Sequence, residues 1–147
     1  MFRFLTEEID NREKSANRIA YLEQKYGITF PDVLKDFYAK TDCSGMKMCE
    51  IKINERCFVA AGLVALEDGD IDFEYAADDD RDEPMCNFIP PDWYPLAYDN
   101  GGNYFYWSSD DYRVCYVDRE NVEERVLVSE SIEAFFDLLN HSVAEEE

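Results

Sequence analysis

At 147 residues, 46% of them hydrophobic and 15% aromatic, the chain can bury roughly 70% of its unfolded surface in one core and needs no disulfide scaffold. Its formal charge of −20 repels nucleic acid and anionic membranes, and no apolar run reaches the roughly 18 residues of a transmembrane helix. The opening MFRFLTEEID meets charge too early for a secretory signal, so a cytoplasmic location is expected.

Residues 12–26, REKSANRIAYLEQKY, place Ala16, Ile19, Ala20, Leu22 and Tyr26 at 3–4 spacing, with Glu23 at the edge of the stripe. That spacing predicts an amphipathic helix, and Gly27 supplies its stop. Pro31 fits the first turn of a second helix, where a missing N–H costs nothing, and Asp32 suits its positive end. Leu34, Phe37 and Tyr38 form the buried stripe of this helix, and the turn cluster DCSG at 42–45 ends it. From residue 46 the period changes to two: Cys49, Ile51 and Ile53 share one face of a strand, and Met48, Glu50 and Lys52 the other. Residues 56–66, RCFVAAGLVAL, are β-prone at the start and blurred by Ala and Gly. Residues 67–83 hold ten acids and one arginine, and their low apolar content predicts an exposed loop with room for a short helical turn. Pro90 and Pro91 break any element there.

Residues 93–98 read as a strand, 99–103 as a turn, and 104–107 and 113–118 as two more strands. Asn100-Gly101 favours positive φ at a tight hairpin. The aromatics at 104–107 put one face into a core and leave the other as a possible contact surface. Val114 and Tyr116 face one way, and Cys115 and Val117 the other. Residues 124–128 add an edge strand. Ser129 or Ser131 caps a last helix running to about 139, with Ile132, Phe135, Phe136 and Leu139 on one face, and the acidic tail from about 142 to 147 frays. The expected class is α+β: N-terminal helices and a C-terminal helix packed on a curved, mostly antiparallel sheet, in a single domain spanning 1–147.

The charge is unevenly placed. Residues 1–40 hold seven acids and seven bases, so residues 41–147 carry the whole −20. Such a field attracts basic partners and speeds their encounter, although acidity also serves plain solubility. Five cysteines at irregular gaps and one histidine, His141, form neither a zinc pattern nor a disulfide framework, so reduced, mostly buried thiols are expected. Asp68, Asp70 and Asp72 imitate the first ligands of a calcium loop, but Phe73 stands where that loop needs Gly and Asp79 where it needs Glu. Carboxylate pairs are inevitable among 34 acids and indicate no hydrolase by themselves. The segment DNGGN lacks the lysine and spacing of a phosphate-binding loop. No metal, cofactor or catalytic group is expected.

Three segments, taken together and in order, resemble the SUKH superfamily. IAYLEQKYGITFPDVLKDFYAKTDCSG (19–45) resembles its opening helix, Gly-containing turn and Pro-initiated second helix. WYPLAYDNGGNYFYWSSDDYRVCYVDREN (93–121) resembles its central strand–turn–strand signature, and SIEAFFDLL (131–139) its closing helix. Phe30 replaces the Leu usual before Pro31, Asp42-Cys43-Ser44-Gly45 replaces a simple Asn-Gly, and Ile132 replaces an aromatic. The resemblance implies an α+β, non-enzymatic binding module. Bacterial members of this kind are immunity proteins that neutralise a toxin, often a nuclease; fungal relatives regulate cell-wall synthesis through protein contacts.

The leading expectation is therefore a monomeric immunity protein that occludes a basic toxin domain and binds neither nucleic acid nor membrane. A housekeeping regulator of the same fold is the alternative, with a calcium-binding or hydrolytic protein behind it. The expected partner-binding residues are Asp78, Asp79, Asp80 and Asp82 in the acidic segment, with Asp99, Asp110, Asp111 and Tyr112 around the hairpin. Acids would guide the encounter and aromatics supply buried anchors.

Overall fold

A computed structural model describes residues 2–67, 72–81, 89–118 and 120–146, without the side chains of 80, 81, 122, 123 and 143–146. Helix α1 (Arg12–Tyr26) ends where Gly27 turns left-handed at φ 67° and returns its N–H to the Glu23 carbonyl. Its buried residues are Ser15, Ile19 and Leu22, whereas Ala16 and Ala20 are exposed, so the buried stripe lies one position away from the alanines. The larger side chains outbid them for the core, and the Ser15 hydroxyl is satisfied by donating to the Arg12 carbonyl at 3.2 Å. Pro31 is the N-cap of α2 (Asp32–Tyr38), which buries Leu34, Phe37 and Tyr38 as expected. Asn11 ties the two helices by donating to the carbonyls of Tyr38 and Thr41 at 3.2 and 3.0 Å.

Strands β1 (Cys49–Ile53) and β2 (Arg56–Ala60) form a separate antiparallel hairpin. Ile53 pairs with Arg56 across the two-residue turn Asn54-Glu55, both at positive φ, the geometry that matches strand twist. A five-stranded antiparallel sheet follows, in the order β3 (Gly62–Leu63), β4 (Trp93–Tyr98), β5 (Tyr104–Ser108), β6 (Val114–Asp118), β7 (Asn121–Ser129). Each strand neighbours the next in sequence, so the sheet is a meander with β3 and β7 at its edges. β7 is longer than the expected 124–128.

The acidic segment departs from expectation. It contains α3 (Phe73–Arg81), a nine-residue helix that buries Phe73, Ala76 and Ala77. Those positions are i, i+3 and i+4, enough for one apolar stripe despite the surrounding acids. Asp72 starts the helix by accepting from the Tyr75 N–H at 2.8 Å. The last helix, α4 (Ile132–Glu146), continues beyond 139 into the stretch expected to fray. The Ser131 hydroxyl caps it, accepting from the Ala134 N–H at 3.0 Å.

All four helices and all seven strands contribute to one principal core. Phe37 and Phe136, 4.8 Å apart, join α2 to α4, and Phe4 stacks on Phe136 at 5.7 Å. Phe30, Phe73, Tyr94 and Trp107 fill the space between the first helices, α3 and the sheet. The opposite face of β5 is covered too: Tyr106 packs with Ile89 and Val117 in a second, smaller cluster. The β5 aromatics therefore do not leave Tyr106 free as a contact surface.

Candidate functional site

The seam between α1 and α3 is built from charge. Glu74 accepts from Arg18 at 2.9 Å, from Lys25 at 2.7 Å and from the Tyr21 hydroxyl at 2.6 Å. The bonds from Lys25 and Tyr21 draw its carboxyl down to about 2, far below the ordinary carboxylate range. One turn on, Asp78 accepts from Lys25 at 3.0 Å and from the Tyr26 hydroxyl at 2.8 Å. Arg18 also donates to the Leu66 carbonyl at 3.1 Å, so three bonds tether it to the segment around α3 and its approach. Phe73 anchors the inner side of α3 by stacking on Tyr94, 5.6 Å away with rings 5° from parallel.

These contacts decide which acids face outward. Asp78 is shared between the seam and solvent, and Asp79 is exposed. The side chains of Asp80 and Asp82 lie outside the described residues. Beside the two acids stands Tyr75, 72% exposed, which the sequence reading missed. The available signal was spacing: if Phe73, Ala76 and Ala77 face the core, then Tyr75, Asp78 and Asp79 share the opposite face.

The hairpin residues separate into two places. Asp99 precedes β5 and Asp110, Asp111 and Tyr112 follow it, so about 16 Å of strand lies between them. Asp99 organises its own turn. Its carboxylate accepts from the N–H groups of Gly101 and Asn103 at 2.9 and 2.8 Å, and from the Tyr116 hydroxyl at 2.7 Å. The turn spans five residues between the paired Tyr98 and Tyr104, and the positive φ falls on Gly102, at 84°, not on Gly101.

At the other end, Tyr112 is half-buried; its ring leans on Trp107 at 6.2 Å and its hydroxyl donates to the Thr29 carbonyl at 3.4 Å. Asp110 and Asp111 are exposed, and Asp111 lies 3.5 Å from Arg113, which also approaches Glu130. The ring contacts Tyr26–Tyr94, Tyr94–Trp107 and Trp107–Tyr112 connect this turn to the α1–α3 seam. Through Tyr26 and Tyr94, Asp78 is thus linked to the end of the sheet where β4 begins and near which Asp110 and Asp111 lie, and Asp99 sits at the far end.

Other chemistry finds little footing. A cleft of about 460 Å³ opens between α1, the 41–46 loop and β3, lined by Asn11, Lys14, Arg18, Tyr38 and Tyr98 among others. Its central polar groups are engaged in the fold: Asn11 and Arg18 as above, and the Tyr38 hydroxyl by donating to the Val64 carbonyl at 3.1 Å. Of the described cysteines only Cys49 is fully buried, and Cys57 is exposed, so the thiols are less buried than expected. Burial pushes the Cys43 thiol up, and a hydrogen bond to Glu50 does the same for Cys57, opposite to what a nucleophilic thiolate requires. Among the described residues no three His, Cys, Asp or Glu side chains converge as metal ligands; Asp68 and Asp70 of the calcium-like spacing lie outside them. No described helix is long and apolar enough to cross a membrane.

No curated protein matches the chain. The SMI1 / KNR4 family (SUKH-1) matches residues 15–138, a span that runs from α1 through the sheet into α4 and takes in the α1–α3 seam. The chain belongs to the SMI1 / KNR4 family (SUKH-1).

Proposed function

We propose that residues 1–147 act as one non-enzymatic protein-binding module, an immunity protein that neutralises a basic toxin, most simply a nuclease, by stoichiometric occlusion. The observation that carries this reading is the sorting of charge. Arg18 and Lys25 are turned onto Glu74 and Asp78, while Asp79, Asp110 and Asp111 are exposed. Exposed acids on a protein of net charge −20 steer a basic surface toward them. A nuclease must be basic where it grips phosphate, and covering that surface blocks substrate without chemistry. Family membership supports a module of the immunity or regulator type.

Co-expression with the toxin-like product of a neighbouring gene tests the proposal. The expected result is a purified complex and relief of toxicity, with an association rate that falls about ten-fold or more as salt rises from 50 to 500 mM. Absence of both complex and relief sinks the immunity reading in favour of a regulator with a different partner. A salt-independent association rate removes the steering role of the acids.

A further inference from the structure

We infer that the cleft between α1 and β3 receives an extended, uncharged segment of a protein partner, which joins the sheet as a further strand through the main chain of Leu63. This goes beyond the proposed function and takes from it only that the partner is a protein, since neither Asp110 nor Asp111 lines the cleft. β3 is an edge of the five-stranded sheet, and an edge strand is a template for one strand more. The hydrogen bonds show which way its main chain faces. The Val64 N–H donates to the Leu96 carbonyl at 3.0 Å, and Leu63 stands opposite Ala97. Antiparallel pairs alternate, so the N–H and C=O of Leu63 point away from β4. Neither meets a partner among the described residues, although Leu63 is only 3% exposed. Buried main-chain groups are almost always paired. Leu63 lines the cleft, so a main-chain donor and acceptor are left open there.

The cleft suits a main chain better than a small polar molecule. Its volume of about 460 Å³ lies within the range of ligand sites, yet its central side-chain groups are spent on the fold. Arg18 donates to the Leu66 carbonyl, Asn11 to the Thr41 carbonyl and Tyr38 to the Val64 carbonyl, bonds that fix the two helices and the 41–46 loop around β3. The charge of the lining argues for an uncharged occupant. Lys14 and Arg18 balance Asp42 and Glu67, in a chain whose net charge is −20. A charge entering the cleft would lose water without a surplus of the opposite sign to receive it. Strand addition needs no such surplus, because main-chain bonds supply the affinity and alternate side chains fill space.

The test is amide hydrogen exchange and two-dimensional NMR of the isotope-labelled full chain. The probe is a blocked Thr-Val-Thr-Val-Thr-Val hexapeptide, and its control is the same peptide N-methylated at every residue. In the free chain the Leu63 amide should exchange about ten-fold or more faster than that of Val64, which is bonded to Leu96. The peptide at about 5 mM should slow Leu63 exchange and shift Leu63 and residues 14–18, equally at 50 and 500 mM salt. The N-methylated peptide should do neither. Lys14→Gln should keep binding, and Lys14→Trp, which narrows the cleft from an exposed position on α1, should weaken it about three-fold or more. A Leu63 amide already protected in the free chain overturns the inference, because its N–H then has a partner. Protection that grows with protein concentration assigns the cleft to a second copy of this chain and overturns it too. So do equal binding of the N-methylated peptide and the absence of any shift at Leu63 with the unmodified one. None of these results bears on whether co-expression relieves toxicity, so the cleft and the proposed function can fail separately.

Discussion

Glu74→Gln asks whether the α1–α3 seam is held by charge or merely decorated by it. The Glu74 side chain is only 26% exposed and accepts from Arg18, Lys25 and Tyr21, at 2.9, 2.7 and 2.6 Å. An exposed ion pair is worth at most about 1 kcal/mol, and a hydrogen bond to a charged group about 1.5–3 kcal/mol where it is better shielded. Glutamine keeps one acceptor oxygen, and solvent screens part of the network, so the net loss should be about 2 kcal/mol. For a chain of this size that lowers Tm by about 4–8 °C. The pH dependence has a definite sign. The folded carboxyl titrates near 2, below its ordinary value of 4.5, so the stabilisation is complete above 4.5 and is lost as pH falls toward 2. Urea unfolding of both proteins at pH 7 and pH 3.5 should give a gap of ~2 kcal/mol that shrinks by more than half at the lower pH. A gap under about 0.5 kcal/mol at pH 7, or one of equal size at both pH values, refutes the charge-held seam and assigns the effect to packing.

Three further outcomes follow from the same packing. Phe73→Ala removes a fully buried ring stacked on Tyr94 and should cost about 3–5 kcal/mol in urea unfolding; a loss below about 1.5 kcal/mol would mean that α3 is not anchored there. Asp99→Ala should cost about 2–3 kcal/mol, because it strips acceptors from two turn N–H groups and from Tyr116. Burial raises the Asp99 carboxyl, but the bonds from Tyr116, Asn103 and Gly101 outweigh it, so its contribution is present above 3.8 and is lost as pH falls below it; an unchanged acid midpoint in the variant would contradict this. Gly27→Ala should cost about 1 kcal/mol from backbone strain alone, since φ is 67° and no atom lies within 4 Å of the added Cβ; a neutral result would show that the cap does not need glycine.

Much of the fold was legible because it is local. The 3–4 spacing of α1, Gly27, Pro31 and the stripe of α2 each carry their own physical signal, and the structure uses each near its expected place. The alternation of β1 was equally plain: Cys49 and Ile51 are buried, Met48 is 53% exposed. What escaped depends on partners elsewhere in the chain. Ten acids in 67–83 masked the short stripe Phe73, Ala76 and Ala77, whose burial is worth having only because Tyr94 and Tyr26 are there to receive Phe73. Tyr106 looked like a candidate for an exposed face, but Ile89 arrives from a distant segment to cover it. At the site, composition located the acids but could not say that Asp110 and Asp111 lie at the other end of β5 from Asp99.

The zero net charge of residues 1–40 takes on a different meaning once these contacts are known. Taken alone, it says only that residues 41–147 carry the whole −20. Two of its seven bases, Arg18 and Lys25, are instead directed at the acidic helix. A helix carrying Glu74, Asp78, Asp79 and Asp80 would otherwise repel the acidic rest of the chain, and its three small or aromatic core residues are a modest counterweight. Placing two cations under Glu74 and Asp78 cancels that repulsion on the inner side only. Burial of Phe73 then fixes the helix, and Tyr75 is left exposed on the far side. The same substitution that weakens the seam, Glu74→Gln, therefore separates two roles that composition merges. It should lower stability while leaving Tyr75 exposed on any molecule that remains folded.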